Sequence, residues 1–77
     1  MMEKSVEVLD LKDIACPMNS AKALLHLEGL EIGAILDILV DDGEPIKNVP
    51  LSLEGEGHEI LDTVKVDRLW KIRVKKR

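Results

Sequence analysis

The chain lacks most of the residues that cross-link or anchor a small domain. Phenylalanine and tyrosine are absent, Trp70 is the only aromatic residue, and Cys16 is the only cysteine among 77 residues. A lone cysteine excludes an intramolecular disulfide framework and is typical of a reducing compartment. We therefore expect a single domain over residues 1–77, with a core of leucine, isoleucine, valine and alanine.

Long apolar runs are also missing. No segment is long enough to span a membrane, and the first residues, Met1 to Lys4, show no apolar signal region. The sequence therefore predicts a cytoplasmic protein that makes no membrane contact.

Metal ligands are sparse and dispersed. One cysteine and two histidines, His26 and His58, are too few for a structural zinc site. The acidic turn at Asp41-Asp42 lacks the remaining ligand spacing of a calcium loop. We expect no metal.

Charge is distributed unevenly along the chain. All 15 acidic residues and 5 of the 11 basic residues lie in residues 1–67, whereas the other 6 basic residues lie in residues 68–77. An acidic body argues against general nucleic-acid binding, which requires a broad basic surface. The basic tail fits a local docking patch for a protein, or equally a solvated edge strand whose lysines prevent edge-to-edge pairing.

The apolar pattern predicts six elements in the order β-α-β-α-β-β. Alternation indicates strands over residues 5–11, 58–66 and 69–75, and the apolar run 34–40 is typical of a buried central strand. Apolar residues at three- and four-residue spacing predict a helix over 17–28. Gly29, in a left-handed conformation, is expected to end this helix. A second helical segment from Pro45 is expected to kink at Val49-Pro50 and to continue as a short helix over 51–54.

This order predicts a two-layer α/β sandwich. Two strands joined through a helix are expected to pair in parallel, and the last two strands form a hairpin through Asp67-Arg68. The sheet is therefore four-stranded and mixed, with two helices on one face.

The chemistry of the chain centres on Cys16-Pro17. Proline is favoured at the first helical position, which would place Cys16 at the cap, beside the free N–H groups and the positive end of the helix. Such a position lowers the pKa of a thiol and makes it nucleophilic. A small buried hydrophobe is an equally good interpretation of a single cysteine on placement alone.

No second residue of a self-contained enzyme is evident. His26 lies too far along the same predicted helix to touch Cys16, and the distance of His58 from Cys16 is not fixed by the sequence. A phosphate-binding glycine motif and a serine elbow are both absent. A lone nucleophilic thiol can carry sulfur as a persulfide, and without a second cysteine the acceptor must be another protein.

The sequence resembles the TusA/SirA family of small sulfur carriers from Leu9 through Val74. The resemblance implies the sandwich fold, a persulfide on Cys16 and no other cofactor, with Pro17 as the proline that follows the persulfide cysteine. The family motif Cys-Pro-x-Pro has Asn19 at its fourth position here. The features that carry the resemblance are Leu9-Asp10, Cys16-Pro17, the apolar strand after Gly33, the Asp41-Asp42 turn and the Ile46…Val49-Pro50 segment.

The expected function is a sulfurtransferase-type carrier. Cys16 would accept sulfur from a cysteine desulfurase or a rhodanese-like donor protein and pass it to an acceptor protein in tRNA thiolation, sulfur assimilation or cofactor sulfuration. Pro17 would support the thiol, Met18 and Asn19 would line the approach of a partner, and the basic side chains Arg68, Lys71, Arg73 and Lys75 would supply docking charge. The alternative is a non-catalytic regulatory or protein-binding module.

Overall fold

A computed structural model describes residues 7–15 and 17–77 and contains six elements in the predicted order. Residues 5 and 6 of the predicted first strand, and Cys16, lie outside the described residues. The elements are β1 (Glu7–Asp10), α1 (Met18–Glu28), β2 (Ile35–Asp41), α2 (Glu44–Gly55), β3 (Glu59–Val66) and β4 (Leu69–Lys75).

The four strands form one mixed sheet in the order β1-β2-β4-β3. β1 pairs with β2 in parallel, whereas β4 pairs antiparallel with both β2 and β3. β2 is therefore a central strand, which explains why its sequence is almost continuously apolar. The prediction of a mixed four-stranded sheet is confirmed.

Both helices cover the same face of this sheet. Alternate residues of β2 and β4 are fully buried, and they pack in one core with Ala23 and Leu27 of α1 and with Val49 and Leu53 of α2. Because strand side chains alternate between faces, the intervening residues of β2 and β4 point away from the helices. The buried strand residues are Leu36, Ile38, Val40, Ile72 and Val74.

The second helix differs from the prediction. α2 is a continuous helix with Pro50 inside it, so the predicted division into a helical turn and a second short helix over 51–54 is wrong. Val49 and Leu53 are both fully buried, one on either side of the proline. A helix broken at Pro50 would separate these two core contacts, so their packing outweighs the hydrogen bond that proline removes.

The end of α1 also differs. Gly29 has φ −84° and ψ −2°, a right-handed conformation, so the predicted left-handed glycine is wrong. The helix instead ends in a tightened turn, because the N–H groups of Gly29 and Leu30 donate to the carbonyls of His26 and Leu27. Neither helix in the described part of the chain is long and apolar enough to cross a membrane.

Three connections lie at one end of the sheet. The β1–α1 loop follows the carboxyl end of β1, and the β2–α2 turn follows the carboxyl end of β2 in parallel register with it. Leu69, the first residue of β4, pairs with Asp41 at the same end, which brings in the β3–β4 turn. We call this end the loop end.

Candidate functional site

The candidate nucleophile Cys16 lies outside the described residues, so the site is defined by the residues on either side of it. Residues 11–15 of the β1–α1 loop precede Cys16, and Pro17 with the first turn of α1 follows it. Pro17 takes the N-cap position with φ −95° and ψ 9°, and α1 begins at Met18. The sequence predicted Pro17 as the first residue of the helix, so the observed helix begins one residue later than expected. This difference is within the usual uncertainty of helix ends.

The loop before Cys16 is tied to the central strand. The Leu11 N–H donates to the carbonyl of Leu39 at 2.9 Å, which extends the parallel ladder beyond β1. Two residues later, the Asp13 N–H donates to Oδ2 of Asp41 at 2.8 Å. The path of the chain toward Cys16 is therefore fixed from β2, a strand distant in sequence.

Asp13 adopts an uncommon backbone conformation within this loop. Its φ is +67°, in the left-handed region. Aspartate tolerates this region better than most residues do, but the conformation still costs on the order of 1 kcal/mol. The turn is closed by the Ile14 N–H, which donates to the Leu11 carbonyl at 3.3 Å. The side chain of Leu11 is 2% exposed, so the loop is also anchored in the core.

The first turn of α1 uses backbone donors that the sequence analysis expected to be free. The Asn19 N–H donates to the carbonyl of Ala15 at 3.1 Å. The Ser20 N–H donates to Oδ1 of the neighbouring Asn19 side chain at 2.7 Å. Two of the groups predicted to face an anion are thus already hydrogen-bonded.

Two side chains of this turn, those of Asn19 and Ser20, are buried, and one polar atom of each has no partner among the described residues. Asn19 is 0% exposed and Ser20 is 7% exposed. Asn19 Nδ2 and Ser20 Oγ make no hydrogen bond with the part of the chain that the structure describes, an arrangement that costs about 1–3 kcal/mol for each group. Met18 is 55% exposed and can meet a partner. The expectation that Asn19 also lines the approach is wrong, because its side chain lies inside the protein.

A cleft opens at the loop end beside the β1–α1 loop. Its volume is about 630 Å³, and a separate pocket of about 360 Å³ is lined by residues of β1, of the β1–α1 loop and of α1. The cleft is lined by both charges and one apolar side chain, which suits a protein partner more than a small apolar ligand. Its lining residues are Lys12, Asp13, Asp41, Asp67, Arg68 and Leu69.

The structure separates the four predicted docking residues. Arg68 lines the loop-end cleft. Lys71, Arg73 and Lys75 alternate with the buried core residues of β4 and so point away from the helices. Lys75 pairs with Ile35, at the opposite end of the sheet from the β1–α1 loop. Only Arg68 of the four is therefore placed beside the segment that leads to Cys16.

Arg73 is engaged by a buried acid that the sequence analysis did not pair with it. Its Nε and second guanidinium nitrogen donate to the two carboxylate oxygens of Asp37, at 2.8 and 3.0 Å. These hydrogen bonds hold the pKa of Asp37 below its ordinary value, although burial acts in the opposite direction. The charges of Arg73 and Lys71 lower it further.

Trp70 also has polar partners that sequence patterns do not show. Its indole N–H donates to Oδ1 of Asp42 at 2.8 Å, and Nζ of Lys65 lies 5.6 Å from the ring centroid. The indole hydrogen bond, followed by the charge of Lys65, lowers the pKa of Asp42. This cluster braces the β2–α2 turn against the hairpin at the loop end.

The two histidines have hydrogen-bond partners outside the β1–α1 loop. Nε2 of His26 lies 2.7 Å from Oε1 of Glu7, on the edge strand. His58 directly precedes β3, and its Nδ1 accepts a hydrogen bond from the Arg77 N–H at 3.1 Å. β3 runs from His58 toward the loop end, so roughly 25 Å of strand separates His58 from that end. Among the described residues, no group of histidine, aspartate and glutamate side chains is arranged to hold a metal.

Comparison with known proteins decides the family. The model of the family Sulfurtransferase TusA matches residues 7–76. The chain belongs to the TusA/SirA family of sulfur carriers. The resemblance drawn from the Cys16-Pro17 motif and the order of elements is therefore confirmed.

Individual relatives agree with this assignment. One Archaeoglobus fulgidus protein, named "Putative sulfur carrier protein", is 39% identical over 72 residues, covering 92% of this chain and 82% of the relative. A second protein of that organism with the same name is 29% identical over 69 residues, covering 90% of this chain and 94% of that relative. The crystal structure of a SirA-like protein from Desulfitobacterium hafniense superposes with a TM-score of 0.76 at 22% identity, covering 90% of this chain and 95% of the other, which supports the fold.

Proposed function

We propose that this sulfur carrier holds sulfur as a persulfide on Cys16 and relays it between a donor protein and an acceptor protein. The observation that carries the proposal is the position of the only cysteine, between a loop anchored to β2 and the first turn of α1, in a chain of this family. The persulfide is the only group that the carrier needs. A non-catalytic protein-binding module would have no use for a thiol at this position.

Loading is a thiol exchange at sulfur. The Cys16 thiolate attacks the terminal sulfur of a persulfide on the donor protein, so that a new S–S bond forms on Cys16. The S–S bond of the donor breaks, and the donor cysteine leaves as a thiolate. The sulfane sulfur moves without net oxidation or reduction, and the release step repeats this exchange with an acceptor thiol.

The described residues support the two requirements of such a relay. The thiol must be presented at a fixed place, and the hydrogen bonds from Leu11 and Asp13 to β2 fix the chain just before it. A partner must reach it, and the exposed Met18 and the loop-end cleft around Arg68 leave room for a protein surface. We expect the donor to be a cysteine desulfurase or a rhodanese-like protein.

The decisive experiment is intact mass spectrometry after incubation of the reduced carrier with a cysteine desulfurase and cysteine. We expect a gain of one sulfur atom that a thiol reductant removes and that Cys16→Ser does not acquire. A rhodanese with thiosulfate serves as the second donor. Failure of the wild-type chain to gain sulfur from either donor, while Cys16 is alkylated normally, would overturn the proposal in favour of a binding module.

The acceptor is also a protein in this proposal, because the chain has no second cysteine with which to release sulfur internally. Delivery to tRNA thiolation, to sulfur assimilation and to cofactor sulfuration are three versions of the same handover. The loaded carrier, mixed with a purified acceptor of each class, distinguishes them by which acceptor gains the sulfur that Cys16 loses.

A further inference from the structure

One edge of the sheet is formed by a long strand with a neighbour on one side only. The strand order β1-β2-β4-β3 leaves the outer side of β3, Glu59–Val66, without a paired strand. An edge strand of this kind presents free N–H and C=O groups to any strand that approaches it. Lysines on an edge strand oppose such pairing, but Lys71 and Lys75 lie on β4, inside the sheet.

The turn between β3 and β4 determines which backbone groups of β3 face outward. Val66 and Leu69 pair directly across this two-residue turn, so they form a hydrogen-bonded pair. Such pairs alternate with non-hydrogen-bonded pairs, which places Thr63 and Lys65 in the second class. Their N–H and C=O groups therefore point away from β4, and in the described part of the chain no turn or loop supplies them with a partner.

The two charged side chains at this end of β3, those of Lys65 and Asp62, are compensated within the chain. Nζ of Lys65 lies 3.8 Å from Oδ2 of Asp42 and 5.6 Å from the ring centroid of Trp70. Asp62 lies opposite Arg73 in the register of β3 and β4. Both charges therefore oppose an approaching strand less than an unpaired lysine would.

The same end of β3 exposes apolar side chains on the face of the sheet that the helices leave uncovered. Val64 pairs with Lys71 and Val66 pairs with Leu69, so both valines point away from the helices. Val64 is 42% exposed and Val66 is 41% exposed. Exposed apolar side chains beside free backbone groups favour pairing with another strand.

We propose that the chain associates with a second copy of itself by antiparallel pairing of the two β3 strands about a twofold axis at Val64. Thr63 of each copy then lies opposite Lys65 of the other, and their outward N–H and C=O groups form reciprocal hydrogen bonds. Val64 meets Val64 of the second copy on the uncovered face, and Val66 meets Asp62. Over residues 62–66, no two like charges lie opposite each other.

Charge and backbone geometry select this register over its neighbours. A twofold axis at Asp62 or at Lys65 would place two identical charges opposite each other, which is destabilising. An axis at Thr63 would pair Lys65 with Leu61, at the irregularity of the ladder between Ile60 and Asp62. The axis at Val64 avoids both.

The pairing is short, so the dimer is weak and reversible. Stable interfaces bury roughly 1,200–2,000 Å² in total, and a contact limited to residues 62–66 lies at the low end of the scale. The dimer is therefore expected at high protein concentration. This association does not depend on the proposed sulfur transfer, so the tests below need no donor protein.

The first test is sedimentation equilibrium from micromolar to millimolar concentration, with a reductant that prevents a disulfide through Cys16. The average mass of the wild-type chain should rise from one chain toward two. Val64→Lys places two like charges at the axis and should remain monomeric. Val8→Lys is the matched control, because Val8 is also an exposed valine, at 63%, but lies on β1 at the opposite edge. It should dimerise as the wild type does.

Circular dichroism verifies that both variants are folded before their masses are compared. A wild-type chain that stays monomeric at every concentration would overturn the proposal and leave the edge of β3 to a strand of another protein. A dimer weakened equally by Val64→Lys and Val8→Lys would overturn it as well.

The second test determines the register by cross-linking in a Cys16→Ser background. Opposite residues of a non-hydrogen-bonded antiparallel pair have Cβ atoms about 4.5–5.5 Å apart, close to disulfide geometry. Val64→Cys should therefore form a covalent dimer on mild oxidation with copper phenanthroline. Val66→Cys is the control on the same strand and face, because its two copies would be roughly 13 Å apart along the strand. Its cross-linking should be at least about tenfold slower, and equal rates would contradict the axis at Val64.

Discussion

The backbone of Asp13 is tied to the side chain of Asp41, 28 residues away, by an N–H···Oδ2 hydrogen bond of 2.8 Å. Asp13 has φ +67° and lies three residues before Cys16. Asp41 is the last residue of β2. β2, a central strand of the sheet, therefore sets the conformation of the loop that leads to Cys16. A functional loop held by a rigid scaffold in this way is common in proteins.

Asp41→Ala is expected to release this loop. The Asp13 amide loses its acceptor, so its hydrogen exchange should speed up, and the free energy of unfolding should fall by about 0.5–1.5 kcal/mol. Exchange measured by NMR at Asp13 checks the first effect. Asp42→Ala is the matched control, because it removes the bond to Trp70 and leaves the Asp13 amide protected. Equal exchange in both variants would contradict the role of Asp41.

Arg68 and Lys75 are expected to differ as docking residues. Arg68 lines the loop-end cleft, whereas Lys75 lies at the other end of β4. At low salt, Arg68→Glu should change the rate of sulfur loading from a donor protein roughly three- to tenfold, and added salt should reduce the difference. Lys75→Glu carries the same charge change and should have little effect on the rate. A larger effect at Lys75 would place the donor on the uncovered face of the sheet.

The sequence predicted the sheet well because its information is local. The alternation of Trp70, Ile72 and Val74 with basic residues marks a half-buried strand, and the bounds predicted for β4 match the structure. The apolar run before Asp41 likewise marked β2 as central, because only a strand buried on both faces tolerates such a run.

The polar contacts could not be predicted because they depend on register between distant segments. Asp37 meets Arg73 only because β2 and β4 pair in one particular register. Asn19 did leave a signal that was missed, since Asn19, Ala23 and Leu27 recur at four-residue spacing and are all buried. An asparagine in an apolar helical stripe therefore predicts a buried amide, and only the structure shows that its Nδ2 has no hydrogen-bond partner among the described residues.

Pro50→Ala is expected to stabilise the protein by about 1–2 kcal/mol. Proline inside a helix is about 3 kcal/mol less favourable than alanine, but alanine also gives the unfolded chain more freedom. Pro45→Ala is the matched control, because Pro45 lies at the start of α2, where its missing N–H is not needed. Urea unfolding compares the two variants with the wild type. A loss of stability in Pro50→Ala would show that the ring of Pro50 contributes to packing more than it costs the helix.

The Asp37–Arg73 pair predicts how stability depends on pH. Because hydrogen bonds from Arg73 lower the pKa of Asp37 in the folded state, its contribution is fully present above the ordinary value of 3.8 and is lost as the pH falls through the lower, folded value. Urea unfolding at a series of acidic pH values should therefore show a slope that Asp37→Asn reduces. Asp62→Asn removes an exposed carboxylate opposite Arg73 and is the control. At neutral pH, Arg73→Ala should lower the free energy of unfolding, because it leaves the buried Asp37 carboxylate without its partner, although the exposure of the Arg73 side chain limits the loss. A pH slope reduced as much by Asp62→Asn as by Asp37→Asn would assign the acid sensitivity to surface charge instead of to this pair.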